Sequence, residues 1–360
     1  MKKKAVLFTA NTQGGIIQFT IQLFQVLKHN AIDVRVFMPD SVKNSDLREL
    51  ETSLVEYKKE KKVIDNRSYK KIAKEIERYS PDFIWYMDDS TVSQKVGLYI
   101  THSIKQFLTM HDAGNIHPTN DKSLRSRAVI KYNAYLSKKF YKNVQKFILL
   151  SPESVKTFVS NFPQYKMEYL LMNLGAHMPK DEECNPPEVS INIRDGYYLF
   201  FGRIDKYKGI GKLLQAYQKA SIRTPLIIAG SGKLSDEEEE LYHNTQNVIL
   251  INRYILDGEM KWLLSNSIAT VLPYIEATQS GVIPLAYYYG KPVIVSDVAG
   301  LSQFVSPDKT GFVLHNEEEW INIFQKKSVE DYKKMSIDIE KYYSENFDWN
   351  NNIKYVLENI

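Results

Sequence analysis

The stretch Pro273-Tyr-Ile-Glu-Ala-Thr-Gln-Ser-Gly-Val-Ile-Pro-Leu-Ala-Tyr-Tyr-Tyr-Gly-Lys-Pro-Val-Ile-Val-Ser-Asp297 follows an apolar run, Ile268 to Leu272. The run reads as a buried strand. Glu276 then stands in a loop of small and hydroxyl residues, a helix-like segment follows, and Pro292 to Ser296 reads as the next strand. A polar loop at the carboxyl end of a parallel strand is where open α/β sheets place their ligands. One acid, several backbone N–H groups and a helix start suit a ligand carrying hydroxyls and phosphates.

The same rhythm extends in both directions. Strand runs are expected at Ala5–Ala10, Val34–Met38, Asp82–Met87, Phe107–His111, Lys146–Leu150 and Glu168–Met172, then at Tyr197–Phe201, Leu226–Ala229, Val248–Ile251, Ile268–Leu272 and Pro292–Ser296. Strands alternating with helix-length segments imply βαβ units and parallel sheets. The rhythm breaks at Met178 to Ile193, around Asp181-Glu-Glu-Cys-Asn-Pro-Pro-Glu188, the best linker. The expected architecture is therefore two doubly wound, Rossmann-like α/β domains. They span 1–180 and 190–345, and a ligand cleft between them is expected.

Composition narrows the classes. A chain of 360 residues with 43% hydrophobic content can build two cores. One cysteine, Cys184, allows no internal disulfide and fits a reducing compartment. Met1-Lys-Lys-Lys leads into a run too short for a signal peptide or membrane span, so a cytoplasmic location is expected. A formal charge of +4 decides little by itself.

Five more loops are candidates for the chemistry. Gly14 and Gly15 stand between the first strand and a helix, where backbone can approach a ligand closely; they complete neither a G-x-G-x-x-G fingerprint nor a P-loop. Gly202-Arg-Ile-Asp-Lys-Tyr-Lys-Gly209 places Arg203 and Lys208 between a strand and a helix, a pair of cations suited to a diphosphate. Gly230 lies in Ala229-Gly-Ser-Gly-Lys233, and Tyr254 in a turn, Asn252 to Asp257, whose backbone suits a nucleobase edge or a plain helix start. His111, beside Asp112 at a strand end, is a hydrogen-bond donor for a ligand hydroxyl or developing charge; with His117 it matches no common metal spacing.

Between Lys122 and Lys146 stand eight Lys/Arg residues and no acid. At helical spacing Val129, Tyr132, Leu136 and Phe140 share one face, and Arg127, Lys131, Lys138 and Lys142 the other. This is either a solvated helix or a surface for anionic head groups or an anionic acceptor. No nucleic-acid motif accompanies it.

Together F-G-R-I-D-K-Y-K-G, I-I-A-G-S-G, the Arg253–Asp257 turn, P-Y-I-E-A-T-Q-S-G and G-K-P-V-I-V-S-D-V-A-G-L through T-G-F-V resemble the retaining glycosyltransferases of family 4, with the GT-B fold. The likeness is densest from Tyr197 to Val313 and looser in the first half, and Asn346-Phe-Asp-Trp349 with the helix after it resembles the family's C-terminal return, so 346–360 is expected to rejoin the first domain. It implies that Arg203 and Lys208 hold a donor diphosphate and that Glu276 contacts the donor sugar. Backbone at Gln279, Ser280, Gly281 and Val282 would bond sugar and phosphate. His111 would stand beside the transferred sugar, and Gly14 and Gly15 would close over the phosphate. The chain departs from the pattern once: the second acid is due eight residues after Glu276, and Pro284 stands there, without side-chain acceptor or N–H.

The resemblance implies a metal-independent, retaining hexosyltransferase with no cofactor, taking a UDP-sugar or, second, a GDP-sugar. The acceptor would be a glycan or lipid-linked glycan of polysaccharide assembly, reached at the inner face of the membrane through the basic helix, with no nucleic-acid partner. The alternatives are a GT-B accessory subunit without turnover and a phosphorylase-like or sugar-phosphate synthase activity.

Overall fold

The apolar runs become strands because layers cover both of their faces. In the computed structural model, residues 2–12, 15–42, 47, 50, 52–58, 66–111, 124–176, 183–188, 193 and 196–359 are described, with the backbone alone for 124–128. The chain divides into two compact units, Met1–Asn173 with Asn352–Ile360, and Leu174–Asn351.

The first unit runs β1 (Lys4–Phe8), α1 (Gly15–His29), β2 (Asp33–Pro39), β3 (Leu54–Tyr57), α2 (Asn66–Tyr79), β4 (Phe83–Tyr86), α3 (Thr91–Tyr99), β5 (Lys105–Met110), α4 (Leu124–Phe140), β6 (Lys146–Leu149), α5 (Pro152–Asn161) and β7 (Tyr169–Leu171). Among the described residues its strands form one seven-stranded sheet in the order β3-β2-β1-β4-β5-β6-β7, every pairing parallel. β4 (FIWY) is buried along its whole length, as a strand sandwiched between helix layers must be.

The second unit continues with β8 (Tyr197–Phe201), α6 (Ile210–Ala220), β9 (Leu226–Ala229), α7 (Asp236–Asn244), β10 (Val248–Ile251), α8 (Asp257–Asn266), β11 (Ser267–Leu272), α9 (Val282–Tyr288), β12 (Val293–Ser296), α10 (Ala299–Ser302) and β13 (Gly311–Leu314). It ends in α11 (Glu317–Lys326), α12 (Val329–Lys333), α13 (Ser336–Asn346) and the start of α14 (Trp349–Glu358). Its strands, again parallel, lie in the order β10-β9-β8-β11-β12-β13. Alternation along β8 fills two cores. Tyr198 and Phe200 pack with Phe324 and Tyr332 on one face; Tyr197 and Leu199 pack with Ile227 and Leu263 on the other. Each such side chain contributes about 1.5–3 kcal/mol by burial.

The strand runs fall where the sequence places them, within two residues at each end. Two strands lie outside that expectation, β3 and β13. Both are sheet edges, and β3 keeps most of its side chains partly exposed. An edge strand has one sheet neighbour and needs no continuous apolar run, so it leaves a weak signal. The linker stretch is fastened locally, with Asn185 N–H donating to Gly258 O at 3.3 Å at the start of α8.

Candidate functional site

In the second sheet the strand order reverses between β8 and β11. The loops that leave these strands carry Arg203, Lys208, Glu276 and the Gln279–Val282 turn, so the topology brings together residues some 75 positions apart. The two loops are joined directly. Ile275 N–H donates to Tyr207 O at 2.8 Å. Gly209 has φ of 68°, and a Cβ there would sit 2.0 Å from Pro273 O, so the contact requires glycine. On the other flank, Gly230 at the end of β9 has φ of 151°, and a Cβ would sit 1.9 Å from Gly202 O. That close approach sets the β8 and β9 loops side by side, held by Gly202 N–H to Ala229 O and Ile204 N–H to Ser231 O, both at 3.0 Å.

Arg203 is exposed and Lys208 half-buried. The Lys208 ammonium lies 3.6 Å from the centroid of the Tyr274 ring and 4.9 Å from that of Tyr207. Burial, and then the charge of Arg203, pull its pKa down to about 8, with Asp205 acting the other way. No carboxylate lies within ion-pair distance of it among the described residues. These are the properties of a cation kept available for an anionic ligand. Sequence reasoning passes over the two tyrosines under it. Their signal is an aromatic in each of the loops K-Y-K-G and P-Y-I-E.

Glu276 and Gly281 are exposed, Gln279 and Val282 half-buried, and Ser280 buried. Ser280 Oγ accepts from Val282 N–H at 3.3 Å, capping the start of α9. Gln279 Oε1 is buried without a hydrogen-bond partner among the described residues. An orphan acceptor of this kind costs about 1–3 kcal/mol unless a ligand or water satisfies it. At the start of α6, Gly211 N–H donates to Glu238 Oε1 at 3.2 Å, so the protein's own carboxylate occupies that donor. The first N–H donors of both helices are thus taken by the protein itself, Val282 N–H by Ser280 Oγ and Gly211 N–H by Glu238.

Pro284 is the third residue of α9 and buried. A first-turn N–H has no partner within the helix, so proline fits there without losing a helical hydrogen bond. The position faces the core, as does the next, Leu285. Nor can Tyr287 substitute for an acid: its buried hydroxyl lies 3.0 Å from Phe304 O and 2.9 Å from Thr310 Oγ1. Tyr254 stands apart from this cluster, exposed at the end of β10, two strands from β8. Its turn is stapled to α8 by a bidentate ion pair of Arg253 with Glu259, 2.6 Å for each bond, and that accounts for the turn without a ligand.

In the first unit the strand order reverses between β1 and β4. Gly15 opens α1; Gly14, Asp112 and His117 lie outside the described residues. His111, at the end of β5, places Nε2 2.9 Å from Met87 O and packs its ring edge-on to Phe19. A carbonyl only accepts, so Nε2 carries a proton and the ring is oriented by this bond. Asp88 is a residue whose role the sequence did not show. Its carboxylate accepts from Thr9 Oγ1 (2.8 Å), Ala10 N (2.7 Å), Ser93 Oγ (2.8 Å) and Ser90 N (3.2 Å). Burial raises its pKa, but these donors together hold it below the ordinary value. Asp88 thus ties the β1–α1 loop to α3.

The expected apolar face of α4 is only half covered. Leu136 and Phe140 are buried, but Val129 is 51% and Tyr132 44% exposed, with Ile130 and Tyr135 also exposed. Lys131, Lys138 and, just past the helix, Lys142 are exposed among them. The Arg127 side chain lies outside the described residues. No helix of the described residues is long and apolar enough to cross a membrane.

Comparison with known proteins finds similarity in sequence and in fold. Residues 181–336 match the family described as glycosyl transferases group 1. O-antigen chain mannosyltransferase C of Escherichia coli is 23% identical over 314 residues, 83% of this chain and 80% of that protein. An uncharacterized glycosyltransferase of Methanocaldococcus jannaschii is 30% identical over 128 residues, 34% of this chain and only 33% of that relative's length. Among solved structures, Anabaena HepE in complex with UDP superposes with a TM-score of 0.74 at 14% identity, over 99% of this chain and 100% of that one. Residues 181–336 therefore resemble a glycosyl transferases group 1 domain, in a chain whose two parallel α/β sheets have the GT-B fold.

Proposed function

We propose that the chain is a retaining glycosyltransferase of family 4. In this reading it moves a hexose from a nucleotide-diphosphate sugar, a UDP-sugar before a GDP-sugar, to a glycan or lipid-linked glycan in polysaccharide assembly. The observation that carries the reading is the union, at one strand-order reversal, of two cations with a loop bearing Glu276, the orphan acceptor of Gln279 and the start of α9. HepE has been solved with UDP and with UDP-glucose, which favours the same donor class here.

Arg203 and Lys208 would neutralise the departing diphosphate. Preorganised charge at a leaving group is often the largest catalytic contribution, and it lets this chemistry run without a resident metal. Glu276 and Gln279 would accept hydrogen bonds from sugar hydroxyls, and His111, with its ring oriented, would bond the transferred sugar. Retention implies front-face displacement: the acceptor oxygen bonds the anomeric carbon as the sugar–phosphate bond breaks, and the leaving phosphate oxygen takes the acceptor proton. The exposed aromatic and aliphatic residues of α4, with Lys131, Lys138, Lys142 and Arg127, are the surface proposed to meet an anionic membrane at its cytoplasmic face.

The test is substitution of exposed residues, which leaves the cores intact. Arg203→Ala and Glu276→Ala should each lower transfer from the cognate nucleotide sugar by at least about a hundredfold, with unchanged thermal unfolding. Full activity in either variant would sink the assignment.

A further inference from the structure

Lys208 holds its position without a carboxylate. What it has instead is Tyr274, a wholly buried residue whose ring centroid lies 3.6 Å from the ammonium. The ring is itself fixed. It meets Tyr207 edge-on at 6.4 Å, and its hydroxyl lies 3.5 Å from Ser280 Oγ, the atom that caps Val282 N–H. Pro273 and Ile275, on either side, are locked to Gly209 and Tyr207 by the contacts given above. One aromatic ring therefore touches the lysine of the β8 loop and the capping serine of the β11 loop.

We propose that Tyr274 is a positioning residue for the donor site: its ring face seats the Lys208 ammonium, and its hydroxyl registers that seat against Ser280 at the start of α9. The proposal rests on the donor-site reading of Lys208. A cation over a ring face is attracted by the ring quadrupole, the more so where water is excluded. Such a seat fixes the direction of a flexible side chain without cancelling its charge, as a carboxylate partner would. The charged and titratable groups facing Lys208 are Arg203, Asp205, Tyr207 and Tyr274, so changing the ring alters one of these and leaves the others in place.

The first measurement needs no nucleotide. The protein is reductively methylated with a 13C label, and the Lys208 signal, identified by its loss in Lys208→Met, is titrated by NMR. Tyr274→Phe should leave the titration within a few tenths of a pH unit of the parent. Pentafluorophenylalanine placed at position 274 keeps the shape and drains the quadrupole, and should lower the titration midpoint by half a unit or more relative to Tyr274→Phe. An unmoved midpoint would overturn the seat. The second measurement is UDP affinity in a double-mutant cycle. Tyr274→Leu should weaken binding about tenfold in the parent and less than twofold in Lys208→Met. Equal losses in both backgrounds would reduce Tyr274 to a core residue. A parent protein that binds neither UDP nor GDP would refute the donor-site reading, and the ligand-free titration would still decide the seat.

Discussion

Lys208 bears its charge in a half-buried place, and that gives the proposed donor site a pH dependence with a definite sign. Its pKa is drawn down to about 8, first by burial and then by Arg203. A diphosphate binds the protonated form, so affinity should be highest on the acid side. Above pH 8 it should fall by up to about tenfold per unit, until the pKa of the bound state is reached. Calorimetric titration with UDP between about pH 7 and 9 checks this, with Lys208→Met as the reference that cancels the nucleotide's own ionisation. A parent and variant with parallel profiles would contradict it. The residue scale is also where the sequence said most and left out most. Arg203, Lys208 and Glu276 stand out in the sequence as charged side chains just after apolar runs, and the fold sets them on the loops that leave β8 and β11. Tyr274 and Asp88 do not stand out, since their roles are contacts with residues 66 and 79 positions away, and no local pattern records those. Pro284 was legible as a departure. Its burial in the first turn of α9 explains how the helix tolerates it: that position serves the core and not the ligand.

Elements add what single residues do not. The junction of α3 and α4 holds Asp89, whose carboxylate accepts from Tyr141 Oη and from Gln94 Nε2, the latter at 3.0 Å. Burial pushes its pKa up to about 6; the two donors pull against that rise, and the charge of Asp88 adds to it. In the unfolded chain the group titrates near its ordinary value of about 3.9. A raised folded pKa means that the fold binds a proton the unfolded chain has lost. Its contribution to stability is complete below about pH 4 and disappears as pH rises through 6. At pH 7 the charge is buried at a cost. Asp89→Asn should therefore stabilise the protein at pH 7 by on the order of 1 kcal/mol, with the gain shrinking toward zero near pH 4. Urea unfolding of both proteins across that range decides it; a gain that does not vary with pH would refute the account. The α4 side of the junction shows the limit of periodicity. The spacing of Val129, Tyr132, Leu136 and Phe140 is helical, and the helix is there, yet of these four only Leu136 and Phe140 reach the core. Periodicity fixes which residues share a face, not how far a neighbour extends along it.

At the scale of the whole chain, the alternation of apolar runs with helix-length segments was enough to give two parallel sheets, because a buried parallel strand must be apolar on both faces. It did not give the edges. Nor did it give the way the chain is apportioned: the return of the last residues to the first domain is implied by the family resemblance of the chain's close, not by the alternation. The first unit is discontinuous: it takes Met1–Asn173 and, after the second unit has been completed, Asn352–Ile360. Its last piece is the second half of α14, where Ile353 and Val356 are fully buried and Asn352 Nδ2 donates to Asn173 O at 3.2 Å. In sequence the segment reads Asn352-Ile-Lys-Tyr-Val-Leu-Glu-Asn-Ile360, apolar residues broken by asparagine, lysine and glutamate. Removing a large buried side chain costs about 2–5 kcal/mol. A chain ending at Asn351 loses two, so the first unit should be destabilised by several kcal/mol while the second keeps its cores. Hydrogen exchange read by mass spectrometry separates the two outcomes, since protection follows the local opening free energy. Amides of β4 and β5 should exchange at least about tenfold faster in the truncated chain, and those of β8 and β11 within about twofold of the parent rate. Exchange that rises equally in both sheets, or in neither, would mean that the last eight described residues belong to the first unit by proximity and not by energy.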